Sequence, residues 1–185
     1  EGLKKMAPDK IEDLPKNPVS AFPNPLVALS KTVADIKENA MTYRVDLDYV
    51  VVAGFSAGGN IAGQLGVYWD KECLLDLVAK EAELIRPTHL LLSYAAFDVY
   101  PNADPSIFNK VAYAATGKEF PTQEELDKVN PIKNVSTKTP PSFVWHTMED
   151  KLVPAENALR YCSELVRVGV PYELSRRPSG LRKTS

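Results

Sequence analysis

A serine between glycines, Gly54-Phe55-Ser56-Ala57-Gly58, follows the β-branched apolar run Val50-Val51-Val52-Ala53 and precedes an apolar helical pattern that starts at Ile61. Strand, tight turn and helix, in that order, is the context in which Gly-x-Ser-x-Gly presents a nucleophile. So tight a turn forces the serine into a sparsely populated backbone conformation. A Cβ at position 54 or 58 is expected to strike neighbouring backbone, so glycine stands at both, with Gly59 as a third. The turn lifts the Ser56 hydroxyl above the end of a sheet. The Ala57 N–H, at the helix start, is a free donor aimed at a developing oxyanion. The plainer reading of the same residues is a Gly-rich turn that binds an anion or nothing.

Nucleophilic serine chemistry needs a histidine base and an acid to orient it. On sheets of this kind the acid lies past the carboxyl end of a later strand, and the chain order is Ser, acid, His. Asp150 fits: it follows the apolar run Ser142-Phe143-Val144-Trp145-His146 by a short loop, and Val153-Pro154 then leads into a helix. Its plainer role is to cap that helix. Glu149 and Asp98 are the fallback acids, the second because it too follows a strand end. The chain has two histidines, His89 and His146, and both precede Asp150. His89 opens a strand away from the serine turn. His146 reads as a packed residue or a support for the acid, and as the fallback base. A Gly-rich loop after an earlier strand, the usual source of a second oxyanion donor, is missing from residues 1–48.

These groups need a scaffold, and the 185 residues suffice for one domain with a core. Strands at about 49–53, 89–94 and 142–146 and a last one starting at Tyr172 alternate with helices at about 25–40, 57–69, 72–82 and 155–168. That alternation predicts an α/β fold with a mostly parallel sheet flanked by helices. The continuous apolar run before Ser56 predicts a central strand covered on both faces. Asn24-Pro25 is read as N-cap and first helical residue. In the last helix Leu159, Cys162, Leu165 and Val166 are expected to face inward, with Gly169 ending it. Thr122-x-x-Glu125 predicts a capping box. Residues 1–23 read as loop or linker, 24–176 as the folded domain and 177–185 as a frayed tail. Within the domain, residues 95–140 are long and weakly periodic, a lid-like or plain surface excursion.

Composition narrows the partners. Net charge is −2 with no basic stripe, which disfavours nucleic acid and acidic membrane surfaces. No apolar run approaches the ~20 residues of a membrane span. Cys73 and Cys162 lack metal-ligand spacing and fall in helical patterns, so both are expected to be buried thiols in a reducing, cytoplasmic compartment. The chemistry requires no metal and no organic cofactor. A small-molecule ester is the expected partner.

Through Phe22-Pro23-Asn24-Pro25-Leu26, Val52-Ala53-Gly54-Phe55-Ser56-Ala57-Gly58-Gly59-Asn60, Arg86-Pro87, Leu90-Leu91-Leu92-Ser93-Tyr94, Pro140-Pro141-Ser142-Phe143-Val144-Trp145-His146-Thr147 and Asp150 to Asn157, the chain resembles the α/β-hydrolase superfamily. More narrowly, it resembles the acetyl-esterase and carboxylesterase group related to hormone-sensitive lipase and acetyl-xylan esterases. The resemblance runs from residue 22 to about 174. It implies Ser56 as nucleophile, the Ala57 N–H as oxyanion donor, Asp150 as acid, and hydrolysis of short-chain, most of all acetyl, esters. Two features depart from the family. The stretch after Tyr172 carries no His–Gly pair, and the strands and Gly-rich loop that precede the first helix in relatives are lacking. A partial hydrolase fold without its first strands is therefore expected, with self-association through an exposed sheet edge. The alternatives are a non-catalytic hydrolase-fold module and a peptidase of the same fold.

Overall fold

The computed structural model describes residues 18–98 and 105–177. The expectations for residues 1–17 and for the tail from 178 lie outside the described residues. Four strands, β1 (Val51–Phe55), β2 (His89–Ser93), β3 (Ser142–Thr147) and β4 (Tyr172–Arg177), form one sheet in the order β1-β2-β3-β4. Every pairing is parallel, as the alternation of strands and helices predicts. The register sets Phe55, Ser93, Trp145 and Ser175 side by side near the carboxyl ends.

Helix α1 (Asn24–Glu38) buries Leu26, Ser30, Val33 and Ala34. Pro23, in a cis peptide with Phe22, occupies the cap position, so Asn24 is the first helical residue and makes no side-chain cap. Helices α2 (Ala40–Tyr43), α3 (Ala57–Tyr68), α4 (Glu72–Val78) and α5 (Ala82–Ile85) follow, and a 3₁₀ turn at Leu47–Tyr49 leads into β1. The stretch 95–140 contains α6 (Pro105–Thr116), α7 (Gln123–Lys128) and α8 (Pro131–Asn134). The capping box forms as expected, with Thr122 and Glu125 exchanging side-chain and backbone bonds. Helix α9 (Glu156–Val168) ends at Gly169, which takes a positive φ of 74°.

The sheet is covered on one face. Helix α3 packs on β1 and β2, α9 on β3 and β4, and α1 on α3. Val52, Leu90, Leu92 and Val144 point into that layer and are buried. Alternate side chains point the other way, and there Val51 is 51% and Phe55 55% exposed, with Phe143 also exposed. The expected central strand covered on both faces is therefore corrected: among the described residues β1 is an edge strand with one face exposed, and its apolar run is two-sided without being buried on both sides. The rotation of α9 also differs from expectation. Tyr161 is fully buried and stacks on Phe97 with centroids 4.6 Å apart, which turns Ala158, Cys162 and Leu165 inward and leaves Leu159 and Val166 exposed. Cys73 is exposed, because α4 buries Leu74 and Val78 instead.

Candidate active site

The turn after β1 has the strained geometry that its sequence demands. Ser56 sits at φ 52°, ψ −122°, a left-handed conformation costly for a residue with a Cβ. Three backbone bonds hold it there. The Ser56 N–H donates to the Ser93 carbonyl at 3.1 Å, and its own carbonyl accepts from Ala96 N at 3.1 Å and Asn60 N at 3.2 Å. Ala57 is the first residue of α3, so its N–H has no intrahelical carbonyl to meet.

The glycines divide into two kinds. A Cβ on Gly54 would lie 2.3 Å from the Gly58 carbonyl oxygen and 2.8 Å from Ala62 Cβ. One on Gly59 would lie 2.5 Å from Ala95 Cβ. These two allow β1, α3 and the loop after β2 to touch. At Gly58 a Cβ would meet nothing within 4 Å, which corrects the expected collision: that position faces the open space over the turn.

Asp150 lies three residues past the last residue of β3, on a turn that it organises itself. Its Oδ1 accepts from the Leu152 N–H at 2.9 Å and the Val153 N–H at 3.0 Å. It caps this turn rather than α9, whose cap residue is Ala155. Asp150 Oδ2 stands 3.8 Å from His146 Nε2. His146 is 1% exposed, and its Nε2 lies 2.8 Å from the Val153 carbonyl. A carbonyl only accepts, so Nε2 carries the proton and donates it. Nδ1 has no partner. His146 thus fastens the Asp150 loop to β3, with the nitrogen that faces the acid already committed. Ser56 and Asp150 both lie beyond carboxyl ends of one parallel sheet, after β1 and β3, two strands that neighbour β2 on either side.

The fallback residues are placed as follows. Asp98 accepts from Arg160 Nη1 at 2.6 Å, and its N–H donates to Asn157 Oδ1 at 2.9 Å. Glu149 is exposed in the turn after β3. His89 begins β2 opposite Val51, at the far end of the sheet from Ser56. Sequence reasoning assigned no role to Asn60, yet its Nδ2 donates to the carbonyls of Ala96, Phe97 and Val129, tying the first turn of α3 to two loops. The signal was a polar amide directly after three small residues, with a second amide, Gln64, four residues on, in a helix otherwise of small and apolar residues and one tyrosine. Beside the turn, between α3, the start of α1 and α6, lies a cavity of about 230 Å³. Among the described residues no three His, Cys, Asp or Glu side chains converge as a metal site requires.

The family model BD-FAE matches residues 16–165. Among curated proteins, endo-1,4-beta-xylanase B of Butyrivibrio fibrisolvens is 34% identical over 151 residues, covering 80% of this chain and 22% of that protein. A probable carboxylic ester hydrolase of Mycobacterium tuberculosis is 24% identical over 159 residues, 82% of this chain and 36% of that protein. The crystal structure of an acetyl ester-xyloside bifunctional hydrolase from Caldicellulosiruptor lactoaceticus aligns with a TM-score of 0.71 at 28% identity, over 86% of this chain and 57% of that one. The chain thus spans about a fifth to a third of the curated relatives and just over half of the solved one.

Proposed function

The chain belongs to the BD-FAE family, and from that membership we propose that it carries the nucleophile and acid of a serine hydrolase acting on short-chain carboxylic, chiefly acetyl, esters. The observation that carries this reading is the Ser56 backbone, strained at φ 52° and pinned by three bonds. In the reaction Ser56 Oγ forms a bond to the acyl carbon and loses its proton to a base. The carbonyl oxygen becomes an oxyanion facing the Ala57 N–H. Its electron pair then returns, the ester C–O bond breaks, and the alcohol leaves with the proton. Water attacks the acyl-serine by the same route, releasing the acid and restoring Ser56. Asp150 orients the base. No metal or organic cofactor takes part.

Neither histidine of the 185 residues is placed to act as that base. His89 lies at the wrong end of β2, and His146 donates its Nε2 proton to Val153. Removing a triad histidine costs about 10⁶-fold in kcat in a well-studied serine protease. The chain alone is therefore a slow hydrolase whose Ser56-dependent rate rises with an added base such as imidazole. Hydrolysis of p-nitrophenyl acetate, with and without imidazole, beside the Ser56→Ala variant is the test. A rate identical in both proteins under both conditions would overturn the proposal. The committed His146 favours one second reading, a non-catalytic hydrolase-fold module, and that same outcome would select it. Helix α6 forms one wall of the cavity beside Ser56, which supports a lid-like role for part of the 95–140 stretch. The unpaired Cys73 and Cys162 fit a reducing, cytoplasmic setting.

A further inference from the structure

A relay of amides decides what one buried residue offers to the cavity beside Ser56. Backbone carbonyls can only accept hydrogen bonds. Those of Ala96, Phe97 and Val129 surround one nitrogen of Asn60 at 2.8, 3.3 and 3.1 Å, so that end of the amide must be Nδ2 and the other end Oδ1. Oδ1 accepts from Gln64 Nε2 at 2.6 Å, and the same Nε2 donates to the Val129 carbonyl at 3.3 Å. Both Nε2 hydrogens are then spent and the Gln64 amide has one possible orientation. What remains is Oε1, an acceptor. Gln64 is 5% exposed and lines the cavity, so Oε1 is the one amide atom it has left to offer a ligand there.

The cavity has a direction. Ala57, Asn60, Ile61 and Gln64 line it from α3, and their spacing places them in one stripe. Ala57 to Gln64 spans seven residues, or ~10 Å along the helix axis. The near end adjoins the nucleophile, because Ala57 follows Ser56 and Ala96 N–H binds the Ser56 carbonyl. The walls between are mostly apolar, from Phe22, Pro25, Val111, Ala115 and Val129, and the hydroxyl of Ser20, also in the lining, is spent on the Ala114 carbonyl at 2.9 Å. A volume of about 230 Å³ exceeds the ~150 Å³ known to hold benzene.

We propose that this cavity receives one substituent of the ester handled at Ser56, an apolar group about two helical turns long that ends in a hydrogen-bond donor, and that Gln64 Oε1 is the acceptor that selects for that donor. The identification of the substituent rests on the reading of Ser56 as nucleophile; the donor preference does not. A ligand without the donor strips water from Oε1 and returns nothing, which is where discrimination arises.

The test is binding to the full chain, followed by amide NMR, with p-cresol and 4-fluorotoluene as probes of nearly equal shape. The expected result is that both shift the Ile61 and Ala115 resonances and that p-cresol binds about fivefold tighter. Gln64→Met should erase the preference. Ile61→Trp, which fills the cavity and keeps Gln64, should abolish binding of both. Equal affinities in the wild type, shifts elsewhere on the protein, or a preference that survives Gln64→Met would each overturn the proposal. Ser56→Ala should retain the preference. If it does while p-nitrophenyl acetate is untouched by the wild type, the nucleophile reading fails and the Gln64 site stands.

Discussion

Gly54→Ala sets a methyl group 2.3 Å from the Gly58 carbonyl oxygen and 2.7 Å from its carbon, where ordinary contact begins at 3.4 Å. Both atoms are backbone, so no rotamer relieves the clash. Strand β1 and helix α3 must separate by roughly 1 Å, the difference between those distances, and overpacking of that kind costs about 1–3 kcal/mol per site. Ala62 Cβ at 2.8 Å adds to it, so a loss near the upper end, about 3 kcal/mol, is expected from a total that is typically 5–15 kcal/mol. With a urea m-value of about 2 kcal/mol/M the midpoint falls by ~1.5 M. Gly58→Ala is the matched control. It meets nothing within 4 Å, and in the first turn of α3 alanine gains up to ~1 kcal/mol over glycine in helix propensity. Its midpoint should stay level or rise. Urea unfolding followed by circular dichroism reads both. An equal fall in the two variants would refute the assignment of Gly54 to packing and of Gly58 to open space.

Three further outcomes are expected. Asp150→Asn keeps an oxygen for the Leu152 and Val153 N–H groups while Asp150→Ala loses it, so the alanine variant should be about 1 kcal/mol less stable; equal midpoints would contradict the turn described here. Burial pushes the Cys162 thiol and the Tyr68 hydroxyl up to about 12, from 9.0 and 10.0, and raises Tyr161 as well. The unfolded chain ionises these groups first, so their contribution is intact below pH 9 and is lost as pH climbs toward 12. Desolvation lowers Lys37, which works in the opposite sense below 10.5, one group against three. Urea midpoints should therefore fall from pH 9 upward, and a rise would be inconsistent with these burials. Finally, the open face with Val51, Phe55 and Phe143 beside the free edge of β1 should drive self-association with a second copy. Light scattering should detect it and Val51→Lys should weaken it, whereas a monodisperse wild-type monomer would argue against it.

The tight Gly-x-Ser-x-Gly turn and the parallel sheet were legible because their signals are local. Gly-x-Ser-x-Gly after a β-branched run specifies a strand, a turn and a helix within a dozen residues. Thr122 and Glu125 likewise announce a cap that needs only four residues. What failed depended on contacts across the chain. The open face of β1 is invisible in Val50 to Ala53, since an apolar run reads the same whether or not a layer covers its second side. The rotation of α9 follows from Tyr161 meeting Phe97, residues 64 positions apart. Gly58 was mistaken for a packing glycine because motif spacing does not say which glycine faces a neighbour and which faces solvent. His146 was read as a packed residue or a support for the acid, which its burial agrees with; only its bond to Val153, set by how a loop folds back, lies outside what periodicity reports. The Asn60–Gln64 relay also escaped, because its acceptors are carbonyls of distant loops.

The central claim is that the fold singles out Ser56 as the acyl acceptor. Treating the chain with p-nitrophenyl acetate in imidazole buffer, quenching, and mapping acetyl groups by peptide mass spectrometry tests it directly. The account predicts one dominant acetyl group on the peptide bearing Ser56, formed faster than any lysine adduct. Acetyl groups spread over the exposed lysines, with Ser56 unmodified, would contradict it.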